Sequence, residues 1–96
     1  MELTNEQRQS IFEEAQQIID EEIKENGYFD DTNTNDLEDI IIDITAKEID
    51  DNDFDKLMQR YSNIIHLTTD FLTWLFNTNC YDKGYYENMC YIRLKI

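Results

Sequence analysis

The stretch DDTNTNDLEDIIIDITAKEIDDNDFD, residues 30–55, decides the fold because it places an apolar stripe and a row of carboxylates on one predicted helix. Helical residues three, four and seven positions apart lie on one side. The apolar side consists of Leu37, Ile40, Ile41 and Ile44. The neighbouring side is a row of aspartates, Asp36, Asp39, Asp43 and Asp50. We expect one side to be buried and the other to be purely negative.

This row of aspartates works against helix stability. Aspartate is a weak helix former, and like charges four positions apart, such as Asp39 and Asp43, repel by roughly 0.2–0.5 kcal/mol. A helix selected for stability alone would carry lysines at these positions. The row therefore predicts a basic binding partner.

Length and charge limit the number of domains and the kind of binding partner that the sequence predicts. Ninety-six residues, 41% of them apolar, predict a single domain, 1–96, with a modest core. The formal net charge is −14, from 22 acidic and 8 basic residues. Residues 1–55 hold 19 acids and 3 bases, whereas residues 56–96 hold 3 acids and 5 bases. This charge attracts cationic partners and disfavours direct binding to nucleic acid or to anionic membranes.

The sequence also predicts the compartment. The first ten residues, MELTNEQRQS, contain no basic region followed by an apolar run, and no segment reaches the roughly 18 apolar residues of a membrane helix. We expect a cytoplasmic protein, in the host cytoplasm if a phage encodes it. Cys80 and Cys90 are expected to be reduced thiols that serve only in packing.

Helical periodicity runs through most of the chain and predicts an all-α fold, a small bundle of four to five helices. Thr4 and Gln7 form the capping-box pattern of the first helix, and Gly27 is placed to end it. Asn35 is the expected N-cap of the second helix, which runs to about Asp50.

Residues 53–77 keep a helical period and form either one long helix or two joined near residues 62–63, with Asn52 as the N-cap. Their main apolar stripe consists of Phe54, Leu57, Met58, Tyr61, Ile65, Thr68, Leu72 and Leu75. A second apolar line consists of Ile64, Leu67, Phe71 and Trp74. The main stripe does not need this line, which would be exposed in a monomer. We therefore expect a homodimer that buries it.

The tail, residues 85–96, fits two structures. A helix would bury its apolar residues at helical spacing, whereas a strand would alternate apolar residues from Cys90 to Ile96. Helix is preferred because no other segment has the pattern of a partner strand. An unpaired strand would leave its backbone groups unsatisfied.

No constellation in the sequence supports an enzyme or a metal protein. The loop from Asp31 begins with EF-hand spacing, but Asp36 and Ile42 occupy the positions that need glycine and glutamate. His66 and Asp70 lie four positions apart, as in an oriented catalytic imidazole, but no nucleophile accompanies them. We expect no catalytic site, no metal site and no cofactor.

The C-terminal aromatics indicate packing. They are Tyr81, Tyr85, Tyr86 and Tyr91. Such side chains stack bases in single-strand binding proteins, but those platforms lie in basic grooves, and this tail carries only Lys83, Arg93 and Lys95. Packing in the core or against a partner protein is the preferred interpretation.

The segment NDLEDIIIDITAKEIDDNDFDKLM, preceded by IFEEAQQIIDEEI, resembles the Ocr-like anti-restriction proteins of T7-type phages and the wider set of small acidic phage proteins that mimic DNA. The shared feature is an Asp-Leu-x-Asp opening, here Asp36 to Asp39, to an acidic helix after an Asp/Thr/Asn loop. The resemblance covers about half the chain. It implies an all-helical dimer whose carboxylates imitate DNA phosphates, with Asp36, Asp39 and Asp43 as the mimics.

Charge and resemblance together predict an inhibitor, encoded by a phage or mobile element, of a nucleic-acid-binding defence system, either restriction or CRISPR-Cas. The expected contact residues are Asp36, Asp39, Asp43 and Asp50 at the centre, with Glu14 and Glu21 flanking them. The first three are separated by roughly 4.5 and 6 Å along the helix axis, comparable to about 3.4 Å per phosphate along a DNA strand. The alternative is an acidic antitoxin or immunity-type protein that caps one basic enzyme by shape.

Overall fold

The computed structural model of the protein describes residues 3–95, and most of them are helical. The elements in chain order are α1 (Asn5–Asn26), β1 (Phe29–Asp30), α2 (Thr34–Glu48), α3 (Asp51–Met58), α4 (Tyr61–Asn77), β2 (Tyr81–Tyr86) and β3 (Met89–Leu94). The four helices agree with the predicted helix count. The three strands form an antiparallel sheet, so the fold is mainly α, and the all-α prediction is wrong in this respect.

Both ends of α1 follow directly from the sequence. The Gln7 amide donates to the Thr4 hydroxyl oxygen at 3.1 Å, and the Thr4 amide donates to the Gln7 side chain at 2.9 Å. At the other end Gly27 has a φ of +86°, and its N–H donates to the Ile23 carbonyl at 2.7 Å. The predicted capping box and the predicted glycine stop are confirmed.

The next two helices begin earlier than predicted. Asn33, not Asn35, caps α2, because its side chain accepts a hydrogen bond from the Asn35 amide at 3.1 Å. α2 ends at Glu48, and Asp50, not Asn52, caps α3. Both loops contain several Asp and Asn residues that are good N-caps, so residue type alone does not select one of them.

Residues 53–77 form two helices rather than one. The break between α3 and α4 falls at residues 59–60, before the predicted junction. Among the described residues, no side chain makes a capping hydrogen bond at the start of α4. The Asn63 side chain donates instead to the Leu57 carbonyl at 2.8 Å, which ties the first turn of α4 to the end of α3.

α4 is the central helix of the core. Its buried residues are Ile64, Leu67, Thr68, Phe71 and Leu75. The four apolar ones belong to the clusters that join the helices and the sheet, and the Phe71 ring lies 5.6 Å from the Phe12 ring. Trp74 is partly buried and packs against the same core. The prediction that Ile64, Leu67, Phe71 and Trp74 form an exposed line is therefore wrong, because the chain itself buries the first three and partly covers Trp74.

The predicted main stripe of α4 is buried only in part. Thr68 and Leu75 are buried as expected, whereas Tyr61 and Ile65 of the same stripe are 50% and 45% exposed. Both sides of α4 repeat at helical spacing and both are rich in large apolar residues. Periodicity therefore identifies two candidate sides and does not choose between them.

The C-terminal tail is a strand rather than the preferred helix. β3 lies between β1 and β2 and pairs antiparallel with both. Its main partner is residues 81–86, where a glycine and two charged residues weaken the strand pattern. Glu87 and Asn88 make the tight turn, with a φ of +53° at Glu87, and this pair is not the usual Asn-Gly hairpin signal. The predicted tail residue Ile96 lies outside the described residues.

One face of the sheet packs on the helices. Phe29, Tyr81 and Ile92 lie on this face and are at most 4% exposed. The Tyr81 O–H donates to the Asp20 carboxylate, and the Gln16 side chain donates to the Tyr81 oxygen at 3.0 Å, which ties β2 to α1. Burial, together with the bond to Asp20, raises the pKa of Tyr81 to about 12.

Cys80 and Cys90 are both free thiols, as predicted. They lie at opposite ends of the hairpin, because Cys80 accepts a backbone hydrogen bond from Lys95 whereas Cys90 pairs with Tyr85. Within residues 3–95, no helix combines the length and the apolarity needed to cross a membrane.

Candidate protein-binding face

The aspartate row of α2 lies on the protein surface. Asp36, Asp39 and Asp43 are exposed, while Leu37 and Ile41 on the neighbouring side are at most 1% exposed. None of the three carboxylates forms an ion pair with another described residue. The predicted division of α2 into a buried apolar side and an exposed acidic side is confirmed.

α1 runs antiparallel to α2 and extends this acidic surface. Near the start of α1, Ser10 Oγ donates to the Glu48 carboxylate at the end of α2, at 2.8 Å. Near the end of α1, Glu22 lines the same groove as Asp36 at the start of α2. The carboxylates of the two helices are therefore displayed side by side.

A groove of about 300 Å³ collects carboxylates from three elements. It is lined by Glu22 of α1, Asp30 of β1 and Asp36 and Asp39 of α2, with Phe29 and Ile40. The Thr32 amide donates to the Asp30 carboxylate at 2.9 Å, which lowers the pKa of Asp30 and favours its charged form. No basic residue lines the groove within the described part of the chain, so its negative potential is not compensated locally.

We call the surface formed by Glu22, Asp30, Asp36, Asp39 and Asp43 the acidic face. Glu22 and Asp30 are members that the sequence pattern did not single out. The sequence feature that could have identified them is the short connection between α1 and α2. It forces acids at the end of α1 to lie close to the start of α2.

The predicted flanking residues of α1 do not line the groove. Glu21 is exposed and lies next to Glu22, about 100° further round α1, and Glu14 is half-buried about two turns upstream. Periodicity along α1 places Glu14 and Glu21 on one side of the helix. It does not tell which side of α1 meets the start of α2.

Asp50 does not belong to the aspartate row. α2 ends at Glu48, and Ile49 has an extended backbone with φ −123° and ψ 162°, so the helical register is lost before Asp50. Ile49 is buried in the second apolar cluster. The Asp50 carboxylate accepts a hydrogen bond from the Asp53 amide at 2.8 Å and caps α3. The predicted alignment of Asp50 with Asp43 is therefore wrong.

Two other carboxylates stabilise the fold rather than forming the acidic face. Glu38 is 8% exposed and accepts a hydrogen bond from the Tyr61 O–H. This bond raises the pKa of Tyr61, because loss of the phenol proton would place a second negative charge beside the carboxylate. Asp20 serves Tyr81 in the same way.

The outer face of the sheet carries an aromatic surface. Tyr86 lies on this face and is 65% exposed. Tyr81 and Tyr85 lie on the opposite face, where Tyr81 is buried and Tyr85 is 69% exposed. A shallow cavity of about 290 Å³, the outer-sheet patch, is lined by Gly27, Tyr28, Tyr86, Met89, Tyr91 and Arg93. Of the four C-terminal tyrosines predicted to pack, only Tyr81 is part of the core.

The Tyr91 ring organises the outer-sheet patch. Its centroid lies 5.9 Å from the Tyr28 ring, and the Arg93 guanidinium lies 5.8 Å from the Tyr91 ring centroid. Gly84, on the neighbouring strand, leaves room for the ring, because a Cβ there would lie 2.3 Å from Tyr91 Cζ. The aromatic and cationic groups of the patch therefore contact one another and are not isolated exposed side chains.

In the polar pair His66 and Asp70, the aspartate pairs with a residue of α1. Asp70 accepts a hydrogen bond from the Arg8 guanidinium at 2.7 Å, which links α4 to α1. His66 lines a cavity of about 420 Å³ with these residues, yet no ion pair joins it to Asp70 within the described chain. Asp70 therefore stabilises helix packing, by at most about 1 kcal/mol for a surface pair.

The first carboxylate of the loop with EF-hand spacing, Asp31, faces a lysine. Asp31 is 7% exposed and faces the Lys83 ammonium at 3.8 Å. In the part of the chain that the structure describes, no group of three or more His, Cys, Asp or Glu side chains converges as metal ligands do.

Comparison with known proteins returned no relative. The chain matches no protein-family model, no curated protein and no solved structure.

Proposed function

We propose that the protein is an inhibitor, encoded by a phage or mobile element, of a nucleic-acid-binding defence protein of the restriction or CRISPR-Cas type. Its acidic face occupies the basic cleft in which the target holds nucleic acid. In this role it is a binding protein rather than an enzyme, and its partner is a protein rather than a nucleic acid.

The observation that supports the proposal most strongly is the unpaired row Asp36, Asp39 and Asp43. Solvated helix faces ordinarily mix charges, because opposite charges four positions apart stabilise the helix. α2 instead displays three exposed aspartates before its first lysine, Lys47. The groove adds Glu22 and Asp30 at the same end, again without a basic neighbour among its lining residues.

Charge mimicry has a direct physical basis. A nucleic-acid cleft is lined by Lys and Arg side chains that contact successive phosphates, and such a surface attracts any rigid body with a similar linear charge density. Because α2 is held by a buried apolar side, its carboxylates are pre-organised. The partner therefore does not have to order a flexible acidic segment, which improves affinity.

Competition with nucleic acid tests the proposal. Fluorescence anisotropy of labelled duplex DNA, bound to a restriction enzyme or to a guide-loaded CRISPR effector, should fall as the protein is added. The inhibition constant should rise steeply as sodium chloride is raised from about 0.05 to 0.2 M, because the contact is largely electrostatic. Inhibition that is insensitive to salt, or that leaves DNA bound, would contradict mimicry.

A second candidate function, an immunity-type protein that caps one basic enzyme by shape, is favoured by the outer-sheet patch. Exposed tyrosine and arginine side chains are the residue types that dominate binding energy in specific interfaces. Tyr86→Ala should then abolish binding, and Asp→Asn changes on α2 should have little effect. Under mimicry the pattern is reversed, so the same variants separate the two functions.

A further inference from the structure

A cavity open to solvent on one side lies between α2, α4 and β2, separate from the acidic face. Its volume is about 370 Å³, and residue 31, which follows β1, completes its wall. No residue lines both this cavity and the groove of the acidic face. We call it the α2–α4 cavity.

Three polar side chains in the wall of the α2–α4 cavity are more than nine-tenths buried. Asp31, Glu38 and Thr68 are 7%, 8% and 7% exposed. Glu38 accepts the Tyr61 O–H, but the Thr68 hydroxyl has no hydrogen-bond partner within the described residues. An unpartnered buried hydroxyl is uncommon in a folded protein and indicates a group that a ligand or water completes.

The charges in the cavity wall are also incompletely compensated. Two buried carboxylates and a single ammonium line the cavity, and the Lys83 nitrogen lies 3.8 Å from the Asp31 carboxylate, beyond hydrogen-bond distance. Burial raises the pKa of the Asp31 carboxyl, and Lys83 offsets only part of that effect. Since a buried carboxylate requires close donors, the wall has acceptor capacity that its own side chains do not fill.

The rest of the wall is apolar except for Thr69, whose hydroxyl donates to the Ile65 carbonyl at 2.9 Å. Leu37, Ile65 and Leu72 line the cavity, and Ile65 is 45% exposed, which places it at the rim. A ligand that suits this wall has a compact cationic head with several N–H donors and a short alkyl stem. The planar guanidinium has five donors in a fork that matches carboxylate oxygens.

We infer that the α2–α4 cavity is a binding site for an alkylguanidinium group, with Asp31 and Glu38 as its carboxylate acceptors and the Thr68 hydroxyl as a further partner. The alkyl stem leaves the cavity past Ile65. This site is independent of the proposed function, so neither result decides the other.

The probe for a test is n-butylguanidinium chloride, added to isotope-labelled protein at constant ionic strength. Amide signals of Thr68 and Lys83 should shift and saturate, whereas the neutral isostere n-butylurea should leave them unchanged. Shifts that do not saturate and that spread over the exposed carboxylates of α1 and α2 would show general attraction to an acidic protein and would overturn the inference.

Variants make the test specific. Asp31→Asn should weaken binding at least about tenfold, as expected for loss of a charge-assisted hydrogen bond. The matched control Asp36→Asn removes the same charge from the exposed row and should change affinity by less than about twofold. Thr68→Val keeps the shape of the buried side chain and should weaken binding without loss of the native amide spectrum. Unchanged affinity in both Asp31→Asn and Thr68→Val would contradict the site.

A second arm distinguishes the source of the group. N-acetyl-arginine methylamide carries the same head on a peptide backbone. Binding equal to that of n-butylguanidinium would indicate that the cavity accepts an arginine side chain of a protein. Binding of n-butylguanidinium alone would support the same site as one for a free small cation, and failure of both compounds to bind would overturn it.

Discussion

At the scale of single residues, the acids of α2 divide according to whether a partner reaches them. Glu38 is buried and bonded to Tyr61, whereas Asp36 and Asp39, two and one positions away, are exposed and form no ion pair with residues 3–95. The same helix therefore carries a carboxylate that stabilises the fold and carboxylates available to a partner. Burial and hydrogen bonding, rather than residue type, separate the two roles.

Tyr81 is expected to stabilise the contact between the sheet and α1. Tyr81→Phe removes the hydrogen bonds with Asp20 and Gln16 and should lower the free energy of unfolding by about 1–3 kcal/mol. Urea denaturation at neutral pH measures the change. Tyr85→Phe is the matched control, because Tyr85 is 69% exposed, and it should stay within about 0.5 kcal/mol of wild type. Equal effects of the two changes would contradict this role of Tyr81.

Asp31 is expected to lower stability when it is charged. Its pKa in the folded state is raised above the ordinary value of 3.8, mainly by burial, so the folded state holds the proton more tightly than the unfolded state. The stability contributed by that proton is fully present below pH 3.8 and is lost as pH rises through the raised pKa. Asp31→Asn should therefore stabilise the protein at about pH 7 and lose its advantage at about pH 3. Urea denaturation at both pH values measures this, and a destabilised variant at neutral pH would contradict it.

At the scale of elements, local chemistry predicted α1 well. Thr4, Gln7 and Gly27 define its ends through contacts within one turn of the helix, so a single sequence contains the necessary information. The exposed positions of Asp36, Asp39 and Asp43 were predictable for the same reason, since they depend only on the period of α2.

Features that depend on long-range pairing were not predictable from the pattern. β3 is a strand because it lies between residues 81–86 and residues 29–30, and neither partner has a strong strand pattern of its own. The buried side of α4 is decided by contacts with α1, α2 and the sheet. In the site, Glu22 and Asp30 join the row only after α1, β1 and α2 have packed together.

The boundary between α2 and α3 gives a test at this scale. Asp50→Ala removes the N-cap of α3 and should lower stability by about 0.5–2 kcal/mol. Asp43→Ala, within exposed α2, removes a repulsive charge and introduces a better helix former, so it should raise stability by a few tenths of a kcal/mol. Thermal or urea unfolding of the two variants measures the contrast. A loss of stability in Asp43→Ala equal to that in Asp50→Ala would contradict the assignment of Asp50 as a helix cap and of Asp43 as an exposed, repulsive charge.

At the scale of the whole molecule, the fold concentrates opposite properties on different surfaces. The acidic face gathers carboxylates from α1, β1 and α2, while the outer-sheet patch gathers Tyr28, Tyr86 and Tyr91 with the cation Arg93. The net charge of −14 is therefore not spread evenly, and a basic partner is steered toward one side of the protein. Under the proposed function, the arrangement of charge matters more than its total.

The most direct test of this claim compares two triple variants of equal net charge. One is Asp36→Asn, Asp39→Asn and Asp43→Asn, and the other is Asp51→Asn, Asp55→Asn and Glu87→Gln, which changes exposed acids outside the acidic face. The measurement is the inhibition constant for displacement of duplex DNA from the target nuclease or effector. At about 1 kcal/mol for each lost contact, the first variant should inhibit about a hundredfold more weakly than wild type, and the second less than about fivefold. Equal inhibition by both variants would contradict the account.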